Sequence, residues 1–545
     1  MSHNEFQAHQ SPHKSGNGVV TTLVAVFIVY AVLLGFGKPQ QWTQTLLDHD
    51  PYAVPVADVA EDAYDNEHAH AGEHAYDGEH AEIYAPPPFF MIIPFAALLL
   101  CIAVLPLIPA TTHWWEHNSN RFLVAASLGA VTLLYYLFFH HAPVEAEWLG
   151  GHSDPAASGP NFHLAWTVFE NAIVNEYIPF IMLLFTLYTI AGGIRIEGNL
   201  KAKPLTNTII LAIGGGIASF VGTTGAAMLL IRLLLDTNKL RRYKVHTVVF
   251  FIFIVCNCGG LLTPLGDPPL FLGYLRGVKF EFTLLYLWGP WLFVNTLLLA
   301  VYFLWDSFAA YPRESKEDLA QDELAPDSLK ITGWLPNVPL LLCVILAVLL
   351  LDPSKTIFDW HPWMFFREMV MLGLVFLSLT LGSKKVRAAN SFCYAAIIEV
   401  AALFFGIFIC MQAPLQILHV YGHQLGIETA FQYFWISGIL SSFLDNAPTY
   451  VVFFETAKSL PLDAEAAAAA EAICGVPICI QFLIAVSLAS VFMGAMTYIG
   501  NGPNFMVKAI AENSGVKIPS FFGYMAYSCL VLLPILFAMS MLFLR

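Results

Sequence analysis

At 545 residues, 57% hydrophobic and only 12% charged, with a mean hydropathy of +0.64, the chain reads as a polytopic membrane protein. Its net charge of −15 argues against a nucleic-acid partner. The nine cysteines lie almost all in apolar runs and give no disulfide framework; Cys256-Asn257-Cys258 reads as small-residue packing rather than a metal site.

Residues 1–17 are polar, and Gly18–Gly37 is an apolar stretch without a small-residue cleavage site, so a retained first span is expected. With an acidic outer loop it makes up an N-terminal unit, 1–86. That loop repeats Glu67-His68-Ala69, Glu73-His74-Ala75 and Glu79-His80-Ala81, with His70 added. Imidazole and carboxylate together suit Zn2+ or Ni2+, so His68, His70, His74 and His80 are candidate ligands for weak metal capture. Residues 87–162 read as unbroken scaffold spans.

The next unit, 163–279, contains an apolar block, 205–235, with Lys201 and Lys203 before it and Lys239, Arg241, Arg242 and Lys244 after it. Basic flanks face the cytoplasm, so both ends belong there. Two full crossings need roughly 40 residues, and Gly222-Thr-Thr-Gly225 interrupts the block, so a re-entrant hairpin is expected. The span 245–272 carries Cys258-Gly-Gly260 and Pro264 through Pro269, which predict a broken helix. Residues 280–391 read as scaffold spans around a charged cytoplasmic loop, ending at Lys384-Lys-Val-Arg387. The last unit, 392–545, holds a second hairpin at 430–457, entering from outside, and a second broken helix at 480–501. The fold expected is an all-α polytopic membrane protein: inverted repeats with two opposed re-entrant hairpins and broken helices, in a scaffold plus transport domain.

The two hairpin units match by eye. Thr223-Thr224-Gly225 aligns with Asp445-Asn446-Ala447, and Thr263 through Pro269 aligns with Thr497 through Pro503. Glu176 and Glu399 precede the tips at similar distances, 48 residues before Thr224 and 47 before Asn446. Gly- and Pro-broken polar segments in corresponding places of two hydrophobic halves mark the binding site of a secondary transporter. Thr223, Thr224, Asn257, Thr263, Asn446, Thr449, Thr497, Asn501 and Asn504 offer neutral oxygens of the kind hard cations such as Na+ take. Asp267 and Asp445 are sharper, because a carboxylate in hydrocarbon costs at least about 2.5 kcal/mol. Asp267 also fits as the cap of a helix restarting at Pro268-Pro269, so Asp445 is the residue expected to exchange a proton for a cation. Arg232 is expected to snorkel toward the basic edge, and Glu176 and Glu399 lie near membrane boundaries.

At these residues the chain resembles the ion-transporter superfamily of sodium/proton antiporters, citrate–metal and dicarboxylate symporters and arsenite transporters. The resemblance covers about 165–275 and 395–545. It rests on the paired hairpins, on Thr263-Pro-Leu-Gly-Asp-Pro-Pro269, and on Thr497-Tyr-Ile-Gly-Asn-Gly-Pro-Asn504 with the following Ala509–Met525. The chain is similar to the citrate-transporter and sodium/proton-antiporter-like branch. The resemblance implies a homodimer in the lipid bilayer, a hairpin domain moving against a fixed scaffold, and sodium sites at Thr223, Thr224, Asn257, Asp445 and Asn446. The dicarboxylate branch carries Ser-Asn-Thr at both tips, whereas these tips read Gly-Thr-Thr and Asp-Asn-Ala.

Two candidate carboxylates without an evident Lys or Arg favour cation/proton antiport, with small ions such as Na+ as cargo or coupling ion and no bound cofactor. Cation-coupled symport of citrate or another carboxylate is the alternative. A remote third reading is an intramembrane aspartyl protease, because Pro264-Leu-Gly-Asp267 is near Gly-x-Gly-Asp; its partner Tyr-Asp pairs, Tyr64-Asp65 and Tyr76-Asp77, fall in a loop. The protein is expected in a bacterial inner membrane with a cytoplasmic N-terminus. Substituted-cysteine labelling should reach position 240 from inside and position 424 from outside; labelling of both from one face contradicts the opposed hairpins.

Overall fold

A computed structural model describes residues 12–48, 85–106, 108–146, 152–156, 159–324, 328–353, 355–357 and 360–545. The histidine candidates His68, His70, His74 and His80 lie outside the described residues, as do Tyr64-Asp65 and Tyr76-Asp77.

An apolar helix α1 (Pro12–Gly35) turns through 68° into the short α2 (Lys38–Asp48) at Gly37, whose φ of +71° suits glycine. Next come α3 (Ile93–Val104), α4 (Pro109–Trp115), α5 (Asn118–Phe138) and a small antiparallel ribbon, β1 (Val144–Glu145) with β2 (His152–Ser153). A π turn at Asn171–Tyr177 joins α6 (Phe162–Glu170) and α7 (Ile178–Ala191) into one span. Strand β3 (Arg195–Asn199) precedes a hairpin of α8 (Pro204–Val221) and α9 (Thr223–Thr237). Helix α10 (Val245–Ile254) gives way to a 3-10 turn at Cys258–Leu262, and α11 (Pro268–Leu275) resumes.

The middle of the chain is α12 (Phe280–Trp305), α13 (Lys316–Leu324), β4 (Ser328–Thr332), α14 (Trp334–Leu350), α15 (Phe366–Leu381), α16 (Lys384–Ala389) and α17 (Ala395–Tyr421). A second hairpin, α18 (Ala430–Ser441) and α19 (Asn446–Lys458), is followed by the alanine-rich α20 (Ala464–Cys474). Helix α21 (Ile480–Met493) ends in a 3-10 turn at Gly494–Met496; α22 (Gly502–Asn513), α23 (Phe521–Tyr527) and α24 (Leu533–Phe543) complete the chain.

Among the described residues seven helices are long and apolar enough to cross a membrane, or nine if each of two bent pairs is one span. The protein is a mostly helical integral membrane protein. In the first hairpin the arms end level, because Asn207 and Asn238 donate to each other's side-chain oxygens at 2.8 Å. The arms of the second, 12 and 13 residues long, span about 20 Å, short of the roughly 30 Å hydrocarbon core.

Strand β3 pairs antiparallel with β4, Ala202 N donates to Asp322, and Asn390 donates to Gly192 O and Ile194 O at 3.0 and 2.8 Å. These bonds gather the basic connections around Lys201, Lys203, Lys384 and Arg387 at one end of the bundle.

Helices α5 and α17 cross at backbone contact: a Cβ on Gly406 would lie 2.4 Å from Ala125 O, the small-residue packing that holds membrane helices together. Gly406→Leu should therefore lower the melting temperature of the purified protein, at a cost of about 1–3 kcal/mol. Gly216→Ala, where nothing lies within 4 Å of the new Cβ, should leave it unchanged or raise it.

Candidate functional site

The two chain breaks are built alike. After each 3-10 turn a threonine stitches the break to the preceding hairpin: Thr263 Oγ1 donates to Ser219 O, and Thr497 Oγ1 donates to Ser442 O at 2.5 Å. Each break closes on a glycine pair. A Cβ on Gly266 would meet Gly260 O at 2.1 Å, and one on Gly500 would meet Gly494 O at 2.6 Å.

Each restarting helix has an extended Asp267 or Asn501 at its N-cap, yet neither side chain caps. Prolines explain this. Pro268, Pro269 and Pro503 carry no N–H, which removes donors a cap would otherwise serve. The side chains are released to the interior, where they meet.

Asp267 is the centre, 1% exposed. Its Oδ1 accepts from Thr223 Oγ1 at 2.9 Å and Asn501 Nδ2 at 3.1 Å; its Oδ2 accepts from Asn446 Nδ2 at 3.2 Å. Asn501 Nδ2 also lies 3.1 Å from Cys256 O and from Asn257 Oδ1. Asn257 donates to Ile252 O and Asn504 Oδ1, both at 2.8 Å, and Asn504 donates to Gly494 O and Thr497 O at 2.9 and 3.0 Å. Ser441 donates to Asn446 Oδ1 at 2.8 Å and so orients its amide toward Asp267. Two hairpin tips and two helix breaks thus share one buried polar network.

Several candidates take places the sequence did not indicate. Asp445, expected as the exchanging carboxylate, is half-buried and caps α19 by accepting from Ala447 N at 3.1 Å, while Thr449 Oγ1 donates to Asp445 O at 3.0 Å. Asp267, expected to fit as a cap, is the enclosed carboxylate. The eye alignment is one residue out of register: Gly222 and Asp445 are the two caps, so Thr223 matches Asn446, and both donate to Asp267. Thr224 is half-buried, and its side chain makes no bond within the cluster. Glu399 pairs with Arg121 at 2.8 Å. Arg232 donates to Ala389 O and Asn390 O at 3.1 and 2.7 Å, so it reaches the end of α16 beside the basic Lys384–Arg387 run, the side toward which it was expected to extend.

Among the described residues no Lys or Arg pairs with Asp267, and no group of three or more His, Cys, Asp or Glu gathers as a metal site. Helix ends take the place of a cation. Helices α9, α11, α19 and α22 all begin at this cluster, and each N-terminus carries roughly half a positive charge. A balance of carboxylates against Lys and Arg leaves out these helix ends, which favour an anion. The four helices form two packed pairs, α11 with α19 and α9 with α22.

A family model described as "Putative citrate transport" matches residues 85–544. The chain belongs to this family. It is therefore a membrane transporter, not an enzyme, and the protease reading falls away. The citrate-transport match includes both hairpins, both breaks and every element of the Asp267 cluster; α1 and α2 lie outside it. A comparison with curated proteins finds no match.

Asp445→Ala should destabilise the transporter by about 1 kcal/mol through loss of the α19 cap, and Asp445→Asn should restore the melting temperature, since Asn caps as well as Asp. Equal melting of both variants and wild type would remove the capping role.

Proposed function

We propose that this transporter carries a citrate-class carboxylate together with a cation, Na+ being the expected coupling ion, by alternating access around Asp267. The observation that carries this reading is the family match over residues 85–544. It moves carboxylate symport ahead of the cation/proton antiport that the charge count favoured. Four helix N-termini supply the potential that an anionic substrate needs, as half-helix ends do in other transporters. The Asp267 carboxylate with threonine and asparagine oxygens beside it suits a hard cation.

Both ions then support each other at one place. A cation at Asp267 neutralises the one negative charge that opposes the substrate, so loading of either favours the other. The matched tips, stitches and caps support reading the halves as inverted repeats with opposed re-entrant hairpins. In that reading α12 moves with the hairpins rather than with the scaffold, because Trp291, Asn295 and Thr283 donate to Gly259 O, Cys258 O and Leu262 O of the first break at 3.1, 3.2 and 3.0 Å. A homodimer would hold the remaining spans fixed.

The test is uptake of labelled citrate by the purified protein in proteoliposomes under an inward Na+ gradient, a pH gradient, or neither. Citrate uptake should follow the Na+ gradient. Asp267→Asn should lose that Na+ stimulation, whereas Asp445→Asn should keep it. A Na+ gradient that drives proton efflux while citrate stays at background would restore the antiport reading.

A further inference from the structure

Among the buried ion clusters outside the centre, one ties together two of the helices that begin there. Arg276 sits at the C-cap of α11, nine residues after Asp267, and donates to Glu455 Oε1 at 2.7 Å and to Glu176 Oε1. Glu455 lies on α19, nine residues after Asn446. Helices α11 and α19 therefore run side by side in the same direction and are tied at both ends: Asp267 to Asn446 at the start, Arg276 to Glu455 about 13 Å further on. Between the ties the helices touch closely, since a Cβ on Gly273 would meet Tyr450 Oη at 2.2 Å. Glu176 belongs to neither helix. It lies in the π turn of the α6–α7 span, a distortion common at functional sites.

The other pair is fastened differently. Nine residues after Thr223 stands Arg232, and nine after Asn501 stands Ile510. These equivalents form no ion pair with each other; they line a small cavity with Ala191, Gly192 and Asn390, and Arg232 turns to the end of α16. Of these two pairs, among the described residues, the α11–α19 pair alone carries a guanidinium fork that binds its two helices to each other and to a third span. Arg is suited to this, because its planar fork holds two carboxylates in fixed directions where Lys offers a point charge.

We infer that Arg276 is a positioning residue with two separable duties: through Glu455 it keeps α19 in register with α11, so that Asn446 reaches Asp267, and through Glu176 it latches that helix pair to the α6–α7 span. The first duty sets the geometry of the binding centre. The second sets how readily the pair moves past the span. The inference rests on the transport reading above for its kinetic consequence, but its structural half does not.

Glu455→Gln, Glu176→Gln and Arg276→Lys are compared in the full-length protein by citrate uptake kinetics and by hydrogen–deuterium exchange. Glu455→Gln should raise the citrate KM about tenfold, the worth of one charge-assisted bond, and speed exchange in 268–275 and 446–458 together. Glu176→Gln should leave KM and those two segments unchanged, speed exchange in 171–177 and alter kcat. Arg276→Lys should show both sets of changes. Loss of thermal stability in all three variants, with unchanged exchange pattern and unchanged KM-to-kcat division, overturns the inference, as does a pure rate effect of Glu455→Gln. If the wild type takes up no citrate, the transport reading fails, while the exchange pattern alone still decides whether Arg276 holds the two helices in register.

Discussion

A carboxylate enclosed by apolar helices, with no Lys or Arg paired to it among the described residues, is the constraint on which the rest of this structure depends. Asp267 holds that position with three neutral donors, one each from α9, α19 and the cap of α22. Burying charge this way is costly unless its lone pairs are satisfied and the local field is favourable. Both conditions require the chain to break where it does. The hairpins must end at the centre so that Thr223 and Asn446 arrive as first helical residues, and the broken spans must restart there so that Asp267 and Asn501 are released from capping by the prolines beside them.

Glycine is the second requirement. The loops that close each break pass within contact distance of another backbone, at Gly260 with Gly266 and at Gly494 with Gly500. A Cβ at Gly266 or Gly500 would push the tip and the break apart, and the carboxylate would lose its donors. Most of the non-helical backbone at the two breaks is buried in protein, the condition under which such backbone is tolerated within a membrane protein. The stitches by Thr263 and Thr497 and, in the inference above, the Arg276 bond to Glu455 help keep these helix starts in one place.

Much of the architecture was legible in the residues. Basic flanks at Lys201 and Lys244 marked the first hairpin, and Gly-Pro clusters at 258–269 and 494–503 marked both breaks, because these residues act locally. Asp267 is enclosed and Asp445 caps α19, the reverse of the expected placement, for a reason equally physical. Capping was inferred from neighbouring prolines, whereas prolines remove the very amides a cap would serve. Tertiary facts escaped entirely. The pairing of Thr223 with Asn446 needed the caps to set the register, the meeting of four helix starts needed the packing of α11 on α19 and α9 on α22, and nothing near Arg276 in sequence pointed to Glu176 or Glu455, which lie 100 and 179 residues away.

The central claim is that one site holds a carboxylate substrate and a cation that reinforce each other through Asp267. Equilibrium titration of citrate into the detergent-purified transporter, by calorimetry at several fixed Na+ concentrations, tests it most directly. The account predicts that citrate affinity rises with Na+ and that Na+ affinity rises with citrate by the same factor, with the coupling lost in Asp267→Asn. Citrate binding of equal strength with and without Na+, in wild type and in Asp267→Asn alike, would contradict it.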